Sequence, residues 1–128
     1  MRPAFRKSAF ATLICILVTA LQVPSETPAA DVAKVELTFE KDIIPIIKAK
    51  CIRCHAGVEP KAGLNLTSPS SLLTGGKSGA ALRIRAAEFS LLYEMVSSGR
   101  MPPVGQKLTA NEKGLIRKWI NDGASGVS

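Results

Sequence analysis

The sequence predicts a small all-α domain, and three observations carry that prediction. Apolar residues recur at helical spacing in three stretches, near residues 39–47, 91–96 and 115–120. No stretch alternates apolar and polar residues over enough positions to build a sheet. Aromatic residues make up only 5% of the chain. A domain this small is then short of apolar bulk, and it calls for an internal staple: a disulfide, a metal or a large cofactor.

At the N-terminus, Arg2, Arg6 and Lys7 precede an uncharged apolar run over residues 9–23, and a small, Pro-rich stretch follows over 24–30. Basic, apolar, small is the order of a secretory signal peptide, with cleavage expected near Ala29 or Ala30. The run is short against the ~20 residues that a spanning helix needs, so no stable membrane anchor is expected. Cys15 lies inside the run behind Ile14, not behind a small residue, and reads as filler. The remaining domain would meet an oxidising compartment, the periplasm or its extracytoplasmic equivalent. Without the leader the formal charge of +7 falls to +5, which suits solubility and docking to acidic proteins. The basic residues are scattered and aromatics few, which speaks against nucleic acid.

Residues 31–37 read as a short lead-in. From Thr38, Phe39, Ile43, Ile46 and Ile47 are spaced for one helical face. Pro45 opposes an unbroken helix, but with Asp42 as N-cap it falls in the first turn, where its missing N–H costs little. A bent or two-part helix ending at Cys51 is expected. Residues 56–80, rich in Gly, Ser, Pro and Thr, read as a long loop with at most one short turn, pinned by Leu64, Leu66, Leu72 and Leu73. A loop of this length wraps something or does something. Its "GGKSG", 75–79, resembles part of a phosphate-binding loop, yet that pattern needs glycine where the chain has Ser71, so it reads as a flexible turn. A second helix is expected over 87–97, its stripe made of Leu91, Leu92, Met95 and Val96 and its stop at Gly99. The double proline of "RMPPVGQKL", 100–108, forbids helix there. Thr109 and Glu112 then form a capping box, Leu115, Ile116, Trp119 and Ile120 an apolar stripe, and Gly123 a terminator.

The chemistry is concentrated in "CIRCHAG", 51–57, which holds two of the three cysteines and the only histidine. Such a stretch serves a disulfide, a redox dithiol, a metal site or covalent haem attachment. C-x-x-C-H is the attachment signature of c-type haem: two thiols reach the two vinyl groups on one side of the macrocycle, and the next residue offers an imidazole to the iron. Structural zinc wants four ligands, and no second Cys/His pair follows. A thioredoxin-type dithiol opens a helix after a strand, whereas this pair closes one. A disulfide of so short a span constrains little of the unfolded chain. Haem is the expected staple, with Cys51 and Cys54 as anchors and His55 as an iron ligand. For the opposite face the candidates are Met95 and Met101. Met95 lies on the helical stripe and reads as core, whereas Met101 sits outside any stripe beside two stiffening prolines and is the favoured ligand. Lys48, Lys50, Arg53 and Lys61 flank the motif and read either as a basic collar for an acidic redox partner or as ordinary solvated surface.

Four blocks, "FEKDIIPIIKAKCIRCHAG", "GLNLTSPSSLLTGGKSG", "SLLYEMVSSGRMPP" and "LTANEKGLIRKWINDGA", resemble in order those of the planctomycete-type cytochrome c domain, within the wider class I cytochrome c fold. The resemblance covers about residues 38–124. It implies a helical domain, here set at 38–125, in which N- and C-terminal helices cross and one haem sits in a cleft. It also implies Cys51 and Cys54 as thioether positions, His55 as proximal ligand and Met101 as distal ligand. Where relatives tend to carry a Pro-Gly-Asp-Pro turn, this chain has "RIRAAEF", 83–89. The chain is expected to be an exported mono-haem c-type cytochrome, passing one electron between larger redox proteins of unspecified identity. No catalytic residue of its own is expected. The alternatives are a haem enzyme or gas-binding domain with an open distal site and, further off, a thiol–disulfide oxidoreductase.

Overall fold

Four α-helices and three short helical turns make up the structure, a computed structural model that describes residues 36–126. No strand occurs among the described residues, only an isolated bridge between Gly76 and Gly79. The predicted signal peptide, 1–30, and the start of the lead-in lie outside the described residues.

The first helical segment is in two parts, as expected, but it begins earlier. A π-helical turn, Phe39–Ile43, runs into α1, Ile44–Lys50. Pro45 has no N–H to give, and the Ile44 N–H reaches back five residues to the Phe39 carbonyl. The N-cap is therefore Thr38, not Asp42. The Thr38 hydroxyl accepts from the Lys41 N–H, and the Asp42 carboxylate returns the favour by accepting from the Thr38 N–H at 2.8 Å. Asp42 thus works inside the first turn as the reciprocal acceptor.

The stretch expected to be a long loop is more ordered than its composition implies. It holds a 3₁₀ turn, Lys61–Gly63, and α2, Pro69–Thr74. Ser68 caps α2 and Ser71 caps back, with Pro69 in the first turn. Leu66 and Leu72 are buried, whereas Leu73 is exposed. "GGKSG" is a turn closed by hydrogen bonds. The Gly76 and Gly79 backbones pair with each other, and the Lys77 N–H donates to the Ala62 carbonyl at 2.8 Å.

A 3₁₀ turn, Ala87–Phe89, precedes α3, Leu91–Ser97, and α4, Ala110–Asn121, carries the predicted Thr109/Glu112 box. The divergent 83–89 segment is knotted around Ser90, which is fully buried. The Ser90 hydroxyl accepts from the Arg83 N–H and sits within reach of the Arg83 and Ala86 carbonyls. The Arg85 and Ala87 N–H groups donate to the Ile120 carbonyl and the Asn121 side chain, so α4 holds this segment directly.

The core gathers Leu37, Phe39, Ile43 and Ile47 from the N-terminal side and Ile116, Trp119 and Ile120 from α4. Leu37, assigned to the lead-in, belongs to this core. The packing of the N-terminal segment on α4 is made by the π-helical turn, where the Phe39 and Trp119 rings lie 5.8 Å apart. The Ser125 carbonyl accepts from both the Phe39 N–H and Trp119 Nε1, tying the two ends together.

Candidate functional site

Helix α1 stops where the thiol motif begins. Beyond Lys50 the backbone keeps coiling: the Cys51 and Ile52 N–H groups donate to the Ile47 carbonyl, and the Cys54 and His55 N–H groups to the Cys51 carbonyl at 3.1 and 3.0 Å. This tight turn sets Cys51, Cys54 and His55 along one wall of a cavity of about 450 Å³, a volume in the range of cofactor sites.

The next segment folds back over the motif. The Lys61 N–H donates to the Cys54 carbonyl and the Leu66 N–H to the His55 carbonyl, both at 2.8 Å. Their closure brings the Leu64 carbonyl to 3.2 Å from His55 Nδ1. A carbonyl only accepts, so the contact needs the proton on Nδ1, and in the neutral ring that leaves the lone pair on Nε2. That is the tautomer an imidazole needs to bind iron, with its ring already oriented.

The two cysteines are half-buried, and neither is in a disulfide. Burial first, and then the neighbouring Cys54 and Glu112, push the Cys51 thiol up to about 11, against a smaller opposite pull from Lys50. A redox dithiol needs the reverse shift, toward thiolate at neutral pH. Zinc fares no better, since no group of three or more His, Cys, Asp or Glu side chains among the described residues is placed to hold a metal ion.

The remaining walls are apolar, with Leu64 and Leu66 from the folded-back segment and Leu91, Leu92 and Val96 from α3. Both candidate methionines reach the cavity. The expectation that Met95 packs into the core is thus corrected. On α3, Leu92 and Val96 are buried in the core and also line the cavity, while Leu91 and Met95 line it half-buried. The Met101 N–H donates to the Met95 carbonyl at 2.9 Å, which draws the 100–105 segment along the same wall.

Of the supposed basic collar, Lys48 and Arg53 line the cavity with exposed side chains, and Lys61 does not line it. Lys50 lines it but is engaged: its ammonium donates to the Lys107 carbonyl at 3.1 Å and pairs with Glu112 at 3.4 Å. Sequence reasoning missed Lys77, which the Gly76–Gly79 turn places at the rim. The only sequence signal was its place in the glycine-rich turn.

These residues fit a covalently held haem. Two unpaired thiols, an imidazole with a free Nε2, two thioethers and apolar walls form a donor set for that group. No helix among the described residues is long and apolar enough to cross a membrane. No curated protein and no solved structure matches the chain. Residues 51–105, which supply most of the cavity lining, match the family model described as planctomycete cytochrome C.

Proposed function

We propose that the protein is an exported, periplasmic mono-haem c-type cytochrome that carries one electron at a time between larger redox proteins. Cys51 and Cys54 would hold the group through thioethers, and His55 and Met101 would bind its iron. When bound, the haem supplies an iron centre that changes charge by one electron. The observation that carries the reading is the hydrogen bond from His55 Nδ1 to the Leu64 carbonyl, since it fixes both the tautomer and the aim of the ring.

The chain's own part is binding, exclusion and steering. Leu64, Leu66, Leu92 and Val96 keep water off the group, which holds the local dielectric low. Lys48, Arg53 and Lys77 at the rim give the opening a positive potential, which speeds encounter with acidic partners and weakens with salt. With protein ligands on both faces there is no open position for a substrate, so the domain is a carrier and not an enzyme. Met101 is favoured over Met95 because its segment is pinned by Met95's own carbonyl and stiffened by Pro102 and Pro103.

The test is the visible spectrum and reduction potential of the haem-loaded protein beside its Met101→Ala and Met95→Ala variants. A marked fall in potential and new carbon monoxide binding in Met101→Ala alone support the reading. The same changes in Met95→Ala alone would move the ligand to α3. Carbon monoxide binding by the unaltered reduced protein would replace the carrier with an open-site haem domain.

A further inference from the structure

The segment that presents Met101 has almost no backbone structure of its own. Among the described residues, 100–108 make one backbone–backbone hydrogen bond, from Met101 N–H to the Met95 carbonyl. Pro102 and Pro103 have no N–H to offer. Yet Pro102 is buried and the segment runs along the cavity wall. Something other than a backbone ladder must hold it.

Two lysines do so. The Lys107 ammonium folds back over the segment and donates to the Gly99 carbonyl at 2.9 Å and to the Pro102 carbonyl. These acceptors lie two residues before and one after Met101. The Lys107 carbonyl is in turn held by the Lys50 ammonium, whose side chain is only 8% exposed. The chain is thus drawn into a closed loop around Met101, anchored at α1.

We infer that Lys107 is a positioning residue for Met101: its ammonium staples the 99–107 loop and so keeps the thioether at the haem site. The inference rests on the reading of Met101 as the distal ligand. Without the staple, the loop's acceptors at Gly99 and Pro102 turn to water, the loop opens more often, and any soluble ligand competes better for the position the sulfur vacates.

The experiment compares haem-loaded Lys107→Gln, Lys107→Arg and Lys113→Gln proteins, titrating the oxidised form with imidazole and recording the sulfur-to-iron charge-transfer absorption. Lys113 is the control because its ammonium also donates to a carbonyl, that of Ser97 at 3.2 Å, but outside the loop. Loss of the staple in Lys107→Gln is expected to tighten imidazole binding on the order of tenfold, the effect of one charge-assisted hydrogen bond, and to weaken the absorption. Lys107→Arg, whose guanidinium keeps several donors, is expected to restore both, and Lys113→Gln to change neither. Wild-type behaviour of Lys107→Gln while Met101→Ala alters both readouts overturns the staple and leaves the ligand assignment standing. An equal effect in Lys113→Gln overturns it too, by reducing it to surface charge. If Met101→Ala itself changes nothing, the ligand assignment has failed and the staple falls with it.

Discussion

A methyl group placed on Gly76 would stand 2.5 Å from the Ala62 carbonyl oxygen, 2.9 Å from the Leu64 nitrogen and 3.0 Å from the Leu64 Cβ. The first contact is short of an ordinary 3.4 Å approach by about 0.9 Å. The turn cannot simply retreat, because the Lys77 N–H is bonded to that same Ala62 carbonyl and Gly76 and Gly79 are paired. The strain then falls on the backbone at Leu64, whose carbonyl orients His55 at 3.2 Å. A few tenths of an ångström of displacement takes that bond past hydrogen-bonding distance. Gly76→Ala in the haem-loaded protein is therefore expected to do two things. Overpacking costs about 1–3 kcal/mol, which lowers Tm by roughly 5–20 °C for a domain of this size. Loss of the Nδ1–H···O bond makes the imidazole a weaker donor, so the oxidised iron is stabilised less and the reduction potential rises. Thermal melts and spectroelectrochemistry read the two effects. Gly114→Ala is the control, since a Cβ there meets nothing within 4 Å and the position lies inside α4, where alanine gains about 0.5–1 kcal/mol over glycine. A Gly76→Ala protein that melts at or above the wild-type temperature refutes the steric reasoning. One that melts lower at an unchanged potential refutes the link from Gly76 to His55.

Trp119 is fully buried and its Nε1 donates to the Ser125 carbonyl at 3.0 Å. Trp119→Phe should cost about 1–2 kcal/mol in urea unfolding and Trp119→Ala about 3–5; equal costs would mean that the ring's bulk against Phe39 is not what counts. The carboxyl of Glu112 is held below its usual range chiefly by the Thr109 N–H, against a smaller opposing effect of burial, with further help from the Thr109 hydroxyl and Lys50. A depressed pKa adds stability above the unfolded value, and that stability is lost as pH falls through the folded one. Glu112→Gln keeps the capping acceptor and removes only the charge, so its deficit should be at most about 1 kcal/mol at pH 7 after solvent screening and should shrink as the pH falls through the lowered folded-state pKa. A deficit independent of pH would point to lost cap geometry instead.

Local signals in the sequence were legible where the physics is local. The Thr109/Glu112 box, the α4 stripe, the Gly99 and Gly123 stops and the break around Pro45 each depend on neighbours within one or two turns. The 56–80 segment was misread because its order comes from distant partners: Leu66 is held by the His55 carbonyl, Ala81 and Leu82 by the Leu72 carbonyl, and Leu92 by the Ala81 carbonyl. Ser68 followed by Pro69 was a readable helix start nonetheless, and the composition of the surrounding residues masked it. The early N-cap was missed for a different reason. Counting helical turns from Pro45 presumes α geometry, whereas the π turn adds a residue and moves the cap back to Thr38.

The two methionines show why a site is harder to read than a fold. Leu91, Leu92, Met95 and Val96 satisfy one periodicity, and periodicity reports only that a face is apolar. It is silent on whether that face meets side chains or a hole. In the structure the i, i+4 pair Leu92/Val96 is buried in the core and borders the cavity, while Leu91/Met95, one residue earlier, lines the cavity half-buried. Met101 has no periodicity at all, yet it reaches the same cavity because a carbonyl of Met95, an ammonium of Lys107 and one of Lys50 fold its loop inward. The Met101 side of the cavity is therefore built from long-range polar contacts to a segment with little structure of its own. The Cys51/Cys54/His55 side is built from a helix end and a five-residue motif. That asymmetry is why C-x-x-C-H declared itself in the sequence and the choice between two thioethers did not. It also implies that substitutions far from either methionine, at Lys107 above all, act on the Met101 segment first and leave His55 in place.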